Sequence, residues 1–366
     1  MGRHDPLHCI LPPGILHKLA QHDNEDIRKS AIDTLTLDTR FRMARAEAAA
    51  RRGGRTARTV TFARIGGTPQ RTIYDQGNSE SQTPGRVARA EGQDPVADEA
   101  VNQAYDGLYA TYMYYWTMFM RDSIDGQGMP IAGCVHFGSR YDNAFWDNAG
   151  HMFFGDGDGT LLTQTTAGID VIGHELTHGV TQHEANLEYS GQSGALNESI
   201  SDCFGIQIKQ MALNQTAADS DWMIGADIVG PELQPALRSM SSPGTANPHD
   251  DQPSDMDSYV DGGDVHTNSG IPNRAFATTA TTLGGNTWDA AGPIWYAALC
   301  DPNLTPFATF SDFARLTVKH AQQIYGTGSS QESAVTAGWD TVKVATTQAG
   351  MMMAPQIVTA SKRSTT

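Results

Sequence analysis

The spacing of apolar residues in the first fifty positions is typical of helices. Residues 15–19 place Ile and Leu at helical spacing directly after Pro12-Pro13, which block a helix upstream. Residues 25–36, which Asn24 can cap, carry a second apolar face, and residues 41–52 form an Ala/Arg-rich stretch. These patterns predict short helices separated by turns.

From Thr59 onward the apolar positions alternate with polar ones, as in strands. One helical stretch, at about 95–120, interrupts strand and turn patterns that otherwise run to residue 168. Helical spacing then dominates, apart from an irregular Pro/Gly/Asp-rich stretch at 230–264. The chain therefore predicts an α+β protein with a helical segment (1–55), a β-rich domain (56–168), an α-helical domain (169–345) and a flexible tail (346–366).

Composition narrows the class of protein. The 366 residues contain no apolar run as long as a membrane span, and the amino terminus shows no secretory signal. The four cysteines are scattered without a pairing pattern, which indicates free thiols in a reducing compartment. We expect synthesis in the cytoplasm, with export by a non-classical route left open.

Charge is divided unevenly along the chain. Residues 1–64 carry a net charge of +5 and the remainder carries −21. An acidic body repels phosphate, so nucleic acid is not expected as a partner. The asymmetry fits a basic segment that docks on an acidic body, although a solvated basic helix explains it equally well.

The sequence His-Glu-Leu-Thr-His at 174–178 is the strongest chemical motif. On a helix, His174 and His178 project from one face and can hold one metal ion, with Glu175 beside it. Glu198 can supply a third ligand and leave one position for water, and Asp202, four residues on, can accept a ring N–H from a ligating histidine. The alternative is an amphipathic surface helix with two histidines, but the apolar turn before His174 favours burial.

Several ordered motifs carry a family resemblance. Residues 174–181 (HELTHGVT) and 193–202 (SGALNESISD) resemble the thermolysin family of neutral zinc endopeptidases. Further blocks agree in order: 141–146 followed by 155–159, then 235–240, then 264–270. The resemblance covers roughly 60–345 and implies a two-domain thermolysin-like fold, with one catalytic zinc ion in the cleft between the domains. Residues 9–16 resemble the short prosegment of the protealysin-like branch.

The resemblance implies a role for each matching residue. Glu175 is the general base, Tyr189 and His266 stabilise the oxyanion, and Asp261 orients His266. Asp202 orients the ligand His174, and Asn197 braces the site. For substrate binding, the resemblance assigns a carbonyl contact to Arg238, an edge strand to Asn143 and Ala144, and a specificity pocket to Leu162, Val171, Ile224 and Leu237. The aliphatic pocket predicts cleavage on the amino side of hydrophobic residues.

One departure from the family concerns calcium. Of the carboxylates of the paired calcium site, only Asp170 and Asp221 have matches, and Lys209, Met223 and Ala226 stand at the other positions. Calcium requires clustered oxygen ligands, and an ammonium group cannot be one. We therefore expect no double calcium site, and expect Lys209 to neutralise Asp170 or Asp221.

The amino-terminal segment is expected to inhibit the enzyme as a prosegment, with Pro12 to Ile15 near the cleft. The exposed basic stretch 55–58 is a natural place for cleavage. Cys9 reads as a small buried cysteine rather than as a zinc-binding thiolate. The expected partners are peptide and protein substrates and the chain's own prosegment. We expect a monomer without membrane contacts. An aminopeptidase and a catalytically silent binding protein remain the alternatives.

Overall fold

The computed structural model describes residues 8–51, 67–147 and 149–347. Within them lie a six-stranded mixed sheet, a two-stranded sheet and ten α-helices, which confirms the α+β class. The start of the alternating stretch (59–66), the basic stretch at 55–58 and nearly all of the predicted tail fall outside the described residues. Every described helix is too short or too polar to cross a bilayer.

The large sheet combines parallel and antiparallel pairs in the order β1-β5-β6-β4-β2-β3. Its strands are β1 (His8–Cys9), β2 (Arg71–Asp75), β3 (Arg86–Ala90), β4 (Ile131–Val135), β5 (Ala144–Trp146) and β6 (His151–Phe154). The edge position of β1 is notable, because this strand comes from the amino-terminal segment and pairs antiparallel with β5. The second sheet pairs β7 (Met223–Ile224) with β8 (Arg238–Ser239).

The helices divide between the amino-terminal segment, the face of the sheet and the carboxyl-terminal half. They are α1 (Pro13–Leu19), α2 (Glu25–Arg51), α3 (Glu99–Phe119), α4 (Ile169–His183), α5 (Gly191–Leu213), α6 (Val265–Asn268), α7 (Gly270–Leu283), α8 (Ala291–Leu299), α9 (Phe310–Tyr325) and α10 (Ser330–Thr341). The helical character predicted beyond residue 169 is therefore confirmed. The predicted break between 36 and 41 is wrong: α2 is continuous there, because residues 37–40 contain neither Pro nor Gly to interrupt it.

Glycines allow α4 and α5 to pack unusually closely. A Cβ atom on Gly173 of α4 would lie 3.2 Å from the Cα of Gly205 on α5. A Cβ atom on Gly205 would lie 2.6 Å from the carbonyl oxygen of Asp170, which real side chains do not tolerate. The two helices therefore meet backbone to backbone, and side chains on their facing surfaces are held within bonding distance of each other.

Candidate metal centre and active site

The contact between α4 and α5 brings His174, His178 and Glu198 together. The Nε2 atoms of the two histidines lie 3.0 Å apart, and each lies 3.4 Å from a carboxylate oxygen of Glu198. All three side chains are at least 99% buried. Burial of so many polar atoms is costly unless they share a partner.

Neighbouring acceptors fix the tautomer of both imidazoles. Nδ1 of His174 lies 2.8 Å from a carboxylate oxygen of Asp202, and Nδ1 of His178 lies 2.8 Å from Oδ1 of Asn197. An N–H at each Nδ1 donates to these oxygens, so the lone pairs of the two Nε2 atoms point at one another. Two lone pairs 3.0 Å apart repel unless a cation lies between them.

The geometry of these three side chains fits zinc. Zinc bonds of about 2.0–2.1 Å in a tetrahedron place neighbouring ligand atoms about 3.3 Å apart, and the observed separations are 3.0–3.4 Å. Oε2 of Glu198 is buried and has no hydrogen-bond partner among the described residues. A metal ion would satisfy this oxygen, and His174, His178 and Glu198 would hold it.

Glu175 lies beside this cluster, and only one of its two carboxylate oxygens accepts a hydrogen bond from the described residues. Its Oε2 accepts a 3.1 Å hydrogen bond from the backbone N–H of Trp146 on β5. Its Oε1 is buried without a hydrogen-bond partner in the described part of the chain. Burial raises the pKa of Glu175 well above its ordinary value, so the carboxyl group has a high proton affinity.

Asp202 joins the histidine cluster to Arg238. Nε and Nη2 of Arg238 each donate a 2.7 Å hydrogen bond to Asp202, which also accepts from Nδ2 of Asn273 at 2.8 Å. Burial would raise the pKa of Asp202, but Arg238 and His174 lower it below its ordinary value. The carboxylate therefore stays charged and holds the His174 ring in place.

Tyr189 and His266 stand together on another side of Glu198. The hydroxyl of Tyr189 donates to Glu198 and lies 3.4 Å from Nε2 of His266. The structure corrects one sequence prediction here, because Nδ1 of His266 lies 2.8 Å from Asp264, whereas Asp261 is exposed in a turn. The reason is local: Asp264 caps α6 through the backbone N–H of His266, so its carboxylate already lies beside that ring.

The amino-terminal segment pairs with the edge that the resemblance assigns to substrates. The N–H of Ile10 donates to the carbonyl of Ala144 at 3.2 Å, and the N–H of Leu11 donates to Oδ1 of Asn143 at 2.9 Å. Arg238 donates to the carbonyl of Ile10 at 3.1 Å. The edge predicted to receive substrates, Asn143 and Ala144, is thus filled by the chain itself.

The carbonyl group of the Cys9–Ile10 peptide bond contacts His266, one of the two predicted oxyanion donors. Nε2 of His266 donates to the carbonyl oxygen of Cys9 at 3.0 Å, while Nδ1 donates to Asp264. Burial would lower the pKa of His266, but Glu198 and Asp264 raise it above its ordinary value. Both ring nitrogens face acceptors, which the protonated imidazolium satisfies.

The four predicted pocket residues, Leu162, Val171, Ile224 and Leu237, are at most 1% exposed. Ile10 is fully buried in the same connected apolar core. Pro12, Gly14 and Ile15 line a neighbouring pocket together with Arg238 and His266. The sequence predicted that the stretch from Pro12 to Ile15 lies near the cleft. In the structure, the contact between the amino-terminal segment and the cleft extends further, to residues 8–11.

Buried polar contacts that the sequence did not predict attach α2 to the loop before β5. Asp38 accepts from the hydroxyl of Tyr141 and from Nδ2 of Asn143. The hydroxyl of Ser30 donates to Asp142. Burial raises the pKa of Asp142 to about 7. Burial likewise raises the pKa of Asp38 to about 6. Lone polar residues on a helical face give no indication of such partners, which lie more than a hundred residues away.

Cys9 faces away from the metal cluster. It is fully buried in a second apolar cluster with Phe41, Phe137 and Phe145, and Nη2 of Arg42 lies 3.7 Å from its Sγ. Burial raises the pKa of Cys9 well above its ordinary value, so the group is a thiol. This agrees with the interpretation of Cys9 as a small buried cysteine.

Lys209 stands among three carboxylates at the far end of α5. Its Nζ lies 3.6 Å from Asp170, 3.7 Å from Asp227 and 4.0 Å from Asp221. Asp170 is fully buried and also accepts a 2.9 Å hydrogen bond from the N–H of Gly225. The ammonium group therefore provides the positive charge for these carboxylates, as the sequence led us to expect.

Two family models match the chain. The thermolysin metallopeptidase catalytic domain matches residues 31–182, and the thermolysin metallopeptidase alpha-helical domain matches residues 185–344. The chain therefore belongs to the thermolysin family of metallopeptidases, which use zinc.

Individual relatives place the chain more closely. The solved precursor of protealysin, a metalloproteinase from Serratia proteamaculans, is 44% identical with a TM-score of 0.81, over 92% of this chain and 100% of that one. An extracellular metalloprotease of Pectobacterium carotovorum subsp. carotovorum is 42% identical over 350 residues, 93% of this chain and 97% of the relative. Bacillolysin of Bacillus amyloliquefaciens is 41% identical over 279 residues, 74% of this chain and 49% of the relative.

The predicted family, fold class and enzyme class are thereby confirmed. The chain is a zinc metalloendopeptidase with a sheet-containing catalytic domain and an α-helical domain, similar to a protease precursor. We call the amino-terminal segment (residues 8–51) the prosegment, since the similar solved chain is a protease precursor.

Proposed function

We propose that this zymogen yields a one-zinc endopeptidase that cleaves on the amino side of hydrophobic residues. His174, His178 and Glu198 bind the zinc ion, and Glu175 is the general base. The convergence of two Nε2 lone pairs and an unsatisfied carboxylate oxygen within 3.0–3.4 Å carries this proposal.

When bound by these three residues, zinc would act as a Lewis acid that activates water and polarises the scissile carbonyl. Glu175 then accepts the proton of the attacking water and delivers it to the leaving amine. The oxygen of Glu175 without a hydrogen bond suits this task, because the other oxygen is fixed by Trp146 and holds the carboxylate in orientation.

Tyr189 and His266 stabilise the charge that develops on the carbonyl oxygen. The hydrogen bond from His266 to the carbonyl of Cys9 supports this role, because the same nitrogen would donate to the scissile carbonyl of a substrate. Asp264, rather than Asp261, orients His266 and favours its charged form. Asp202 and Asn197 fix the two histidine ligands through their Nδ1 atoms.

The contacts of the prosegment support the proposed specificity. In the proposed roles, the carbonyl of Cys9 corresponds to the scissile carbonyl, so Ile10 corresponds to the residue after the scissile bond. The side chain of Ile10 is fully buried. Arg238 holds the carbonyl of Ile10, and Ala144 and Asn143 hold the extended backbone. A substrate with a hydrophobic residue at this position would bury the same apolar surface.

The prosegment inhibits the enzyme by filling this edge and this subsite. A peptide cannot pair with β5 while β1 occupies it, so the prosegment must leave before substrates bind. We propose that an enzyme molecule whose own prosegment has left cleaves the prosegment of another molecule near the basic stretch 55–58, before an apolar residue there such as Ala57 or Val60.

Blocked peptides test the function. The processed enzyme should cleave a peptide that is acetylated and amidated and has a central Phe or Leu, with the cut before that residue. A matched peptide with Asp at that position should remain intact, and a zinc chelator should abolish the cleavage. Cleavage only of peptides with free amino termini would indicate an aminopeptidase, and no cleavage would indicate a silent binding protein.

Processing provides a second test. Purified Glu175→Ala chain should keep its full mass on standing, while the unsubstituted chain loses its first fifty or so residues. Loss of the prosegment from the pure variant would refute self-cleavage.

A further inference from the structure

The two residues of strand β1 present their side chains to opposite sides. Successive side chains of a strand alternate between its faces. Cys9 points into the apolar cluster around Phe145, so His8 points the other way, toward the metal cluster. Its backbone is held there by the pairing of His8 with Trp146 on β5.

His8 is buried against a predicted zinc ligand. The side chain is 5% exposed, and its ring centroid lies 4.3 Å from that of His178 and 4.4 Å from that of Tyr189. Potential ligand atoms of His8, His178 and Glu198 all lie within 4.8 Å of one another. Three side chains of the kinds that zinc prefers, two imidazoles and one carboxylate, therefore converge from the prosegment, α4 and α5.

We propose that His8 is the fourth protein ligand of the zinc ion in the zymogen and takes the coordination position that the attacking water needs. This inference rests on the proposed function, because it requires zinc at His174, His178 and Glu198. Ligand atoms of tetrahedral zinc lie about 3.3 Å apart, so the His8 ring closes on the ion by a shift on the order of 1.5 Å. Such a shift is within reach of a side-chain rotation.

The proposal explains how the zymogen tolerates a substrate-like bond in its own cleft. The Cys9–Ile10 peptide is held by His266, Ala144 and Arg238 as a substrate would be. A zinc site with four protein ligands has no open position for water, as in structural zinc sites. The peptide bond thus lies in register for hydrolysis while the nucleophile is absent.

Counting the imidazole ligands of zinc tests the proposal directly. X-ray absorption at the zinc edge of the full-length Glu175→Ala chain, which keeps the prosegment, should give three imidazoles. The Glu175→Ala, His8→Phe chain should give two, because Phe keeps the aromatic contact with His178 but cannot bind zinc. A matched His17→Phe change, at an exposed histidine of the same segment, should leave three.

Removal of zinc by a chelator gives a second measurement on the same proteins. The His8→Phe change should accelerate zinc loss from the zymogen by at least about tenfold, since one of four ligands is missing. His17→Phe should not change the rate. Equal rates of zinc loss from the chain with His8 and from the His8→Phe chain would show that the segment only shields the metal. That result would overturn the proposal.

The outcomes separate this inference from the proposed function. Two imidazoles in the chain with His8 intact would overturn the fourth ligand and leave the zinc enzyme standing. Absence of bound zinc from both the zymogen and the processed enzyme would overturn both. The count on the chain with His8 intact does not depend on how well any His8 variant folds.

Discussion

Asp264, not Asp261, holds the imidazole of His266, with 2.8 Å between Oδ1 and Nδ1. Asp264→Asn should lower kcat by roughly ten- to a hundredfold, because a weaker partner leaves His266 a poorer donor to the oxyanion. Steady-state kinetics on the processed enzyme checks this. Asp261→Asn is the matched control and should leave kcat unchanged; the reverse order of effects would restore the assignment predicted from the sequence.

Asp202 links the metal site to the stability of the fold. Asp202→Asn should lower zinc affinity by about ten- to a hundredfold, because His174 loses its charged acceptor. The free energy of unfolding should fall by about 3 kcal/mol, because Arg238 remains buried without its carboxylate. Competition with a chelator and denaturant unfolding measure the two effects. Ser199→Ala, a buried change on the same helix, should preserve zinc affinity.

Lys209 stands at the position of the family's double calcium site. We therefore expect the stability of the enzyme not to depend on calcium binding there. Thermal unfolding of the unsubstituted enzyme should be the same with calcium and with a calcium chelator. Lys209→Met should lower the free energy of unfolding by about 3 kcal/mol, because buried Asp170 loses its cation. Lys343→Met, at an exposed ion pair with Asp255, should have little effect. Calorimetric detection of two tightly bound calcium ions at this site would contradict the expectation.

Asp38 should make the docking of the prosegment weaken as the pH rises. Burial raises its pKa from 3.8 to about 6, with Arg42 and the Tyr141 hydroxyl opposing the shift, and Cys9 and His266 also face the group. The contribution of protonated Asp38 to the free energy of unfolding is complete below about pH 4. It is lost as the pH rises through about 6. At about 1.4 kcal/mol per pKa unit, the change amounts to roughly 3 kcal/mol.

Thermal unfolding of the zinc-loaded Glu175→Ala chain between pH 4.5 and pH 7 tests this dependence. The Asp38→Asn change should gain stability relative to Asp38 as the pH increases toward 6, and the difference should level off above that. Thr36→Ala, a change of a residue without a titrating group at an exposed position of the same helix, should give a constant difference. A constant difference for Asp38→Asn as well would refute the coupling.

The predicted site residues that lie together in the structure are those whose positions follow from local geometry. His174 and His178 are one turn apart on α4, and Glu198 and Asp202 are one turn apart on α5, so helical spacing alone puts each pair on one face. The position of Asp264 depends on the start of a four-residue helix, which spacing does not reveal. Strand β1 has two residues and pairs across more than 130 positions, so its role could be found only in the folded chain.

Phe41 of the prosegment packs 5.5 Å from the ring of Phe137 and 5.6 Å from that of Phe145, in the cluster that also contains Cys9 and Leu37. Cutting the chain between residues 51 and 67 breaks none of these contacts. The severed segment therefore starts as a bound, noncovalent inhibitor, and mass action governs its departure. Dilution, or digestion of the freed segment, then sets the onset of activity, so a concentrated preparation should activate more slowly than the cleavage of its backbone indicates.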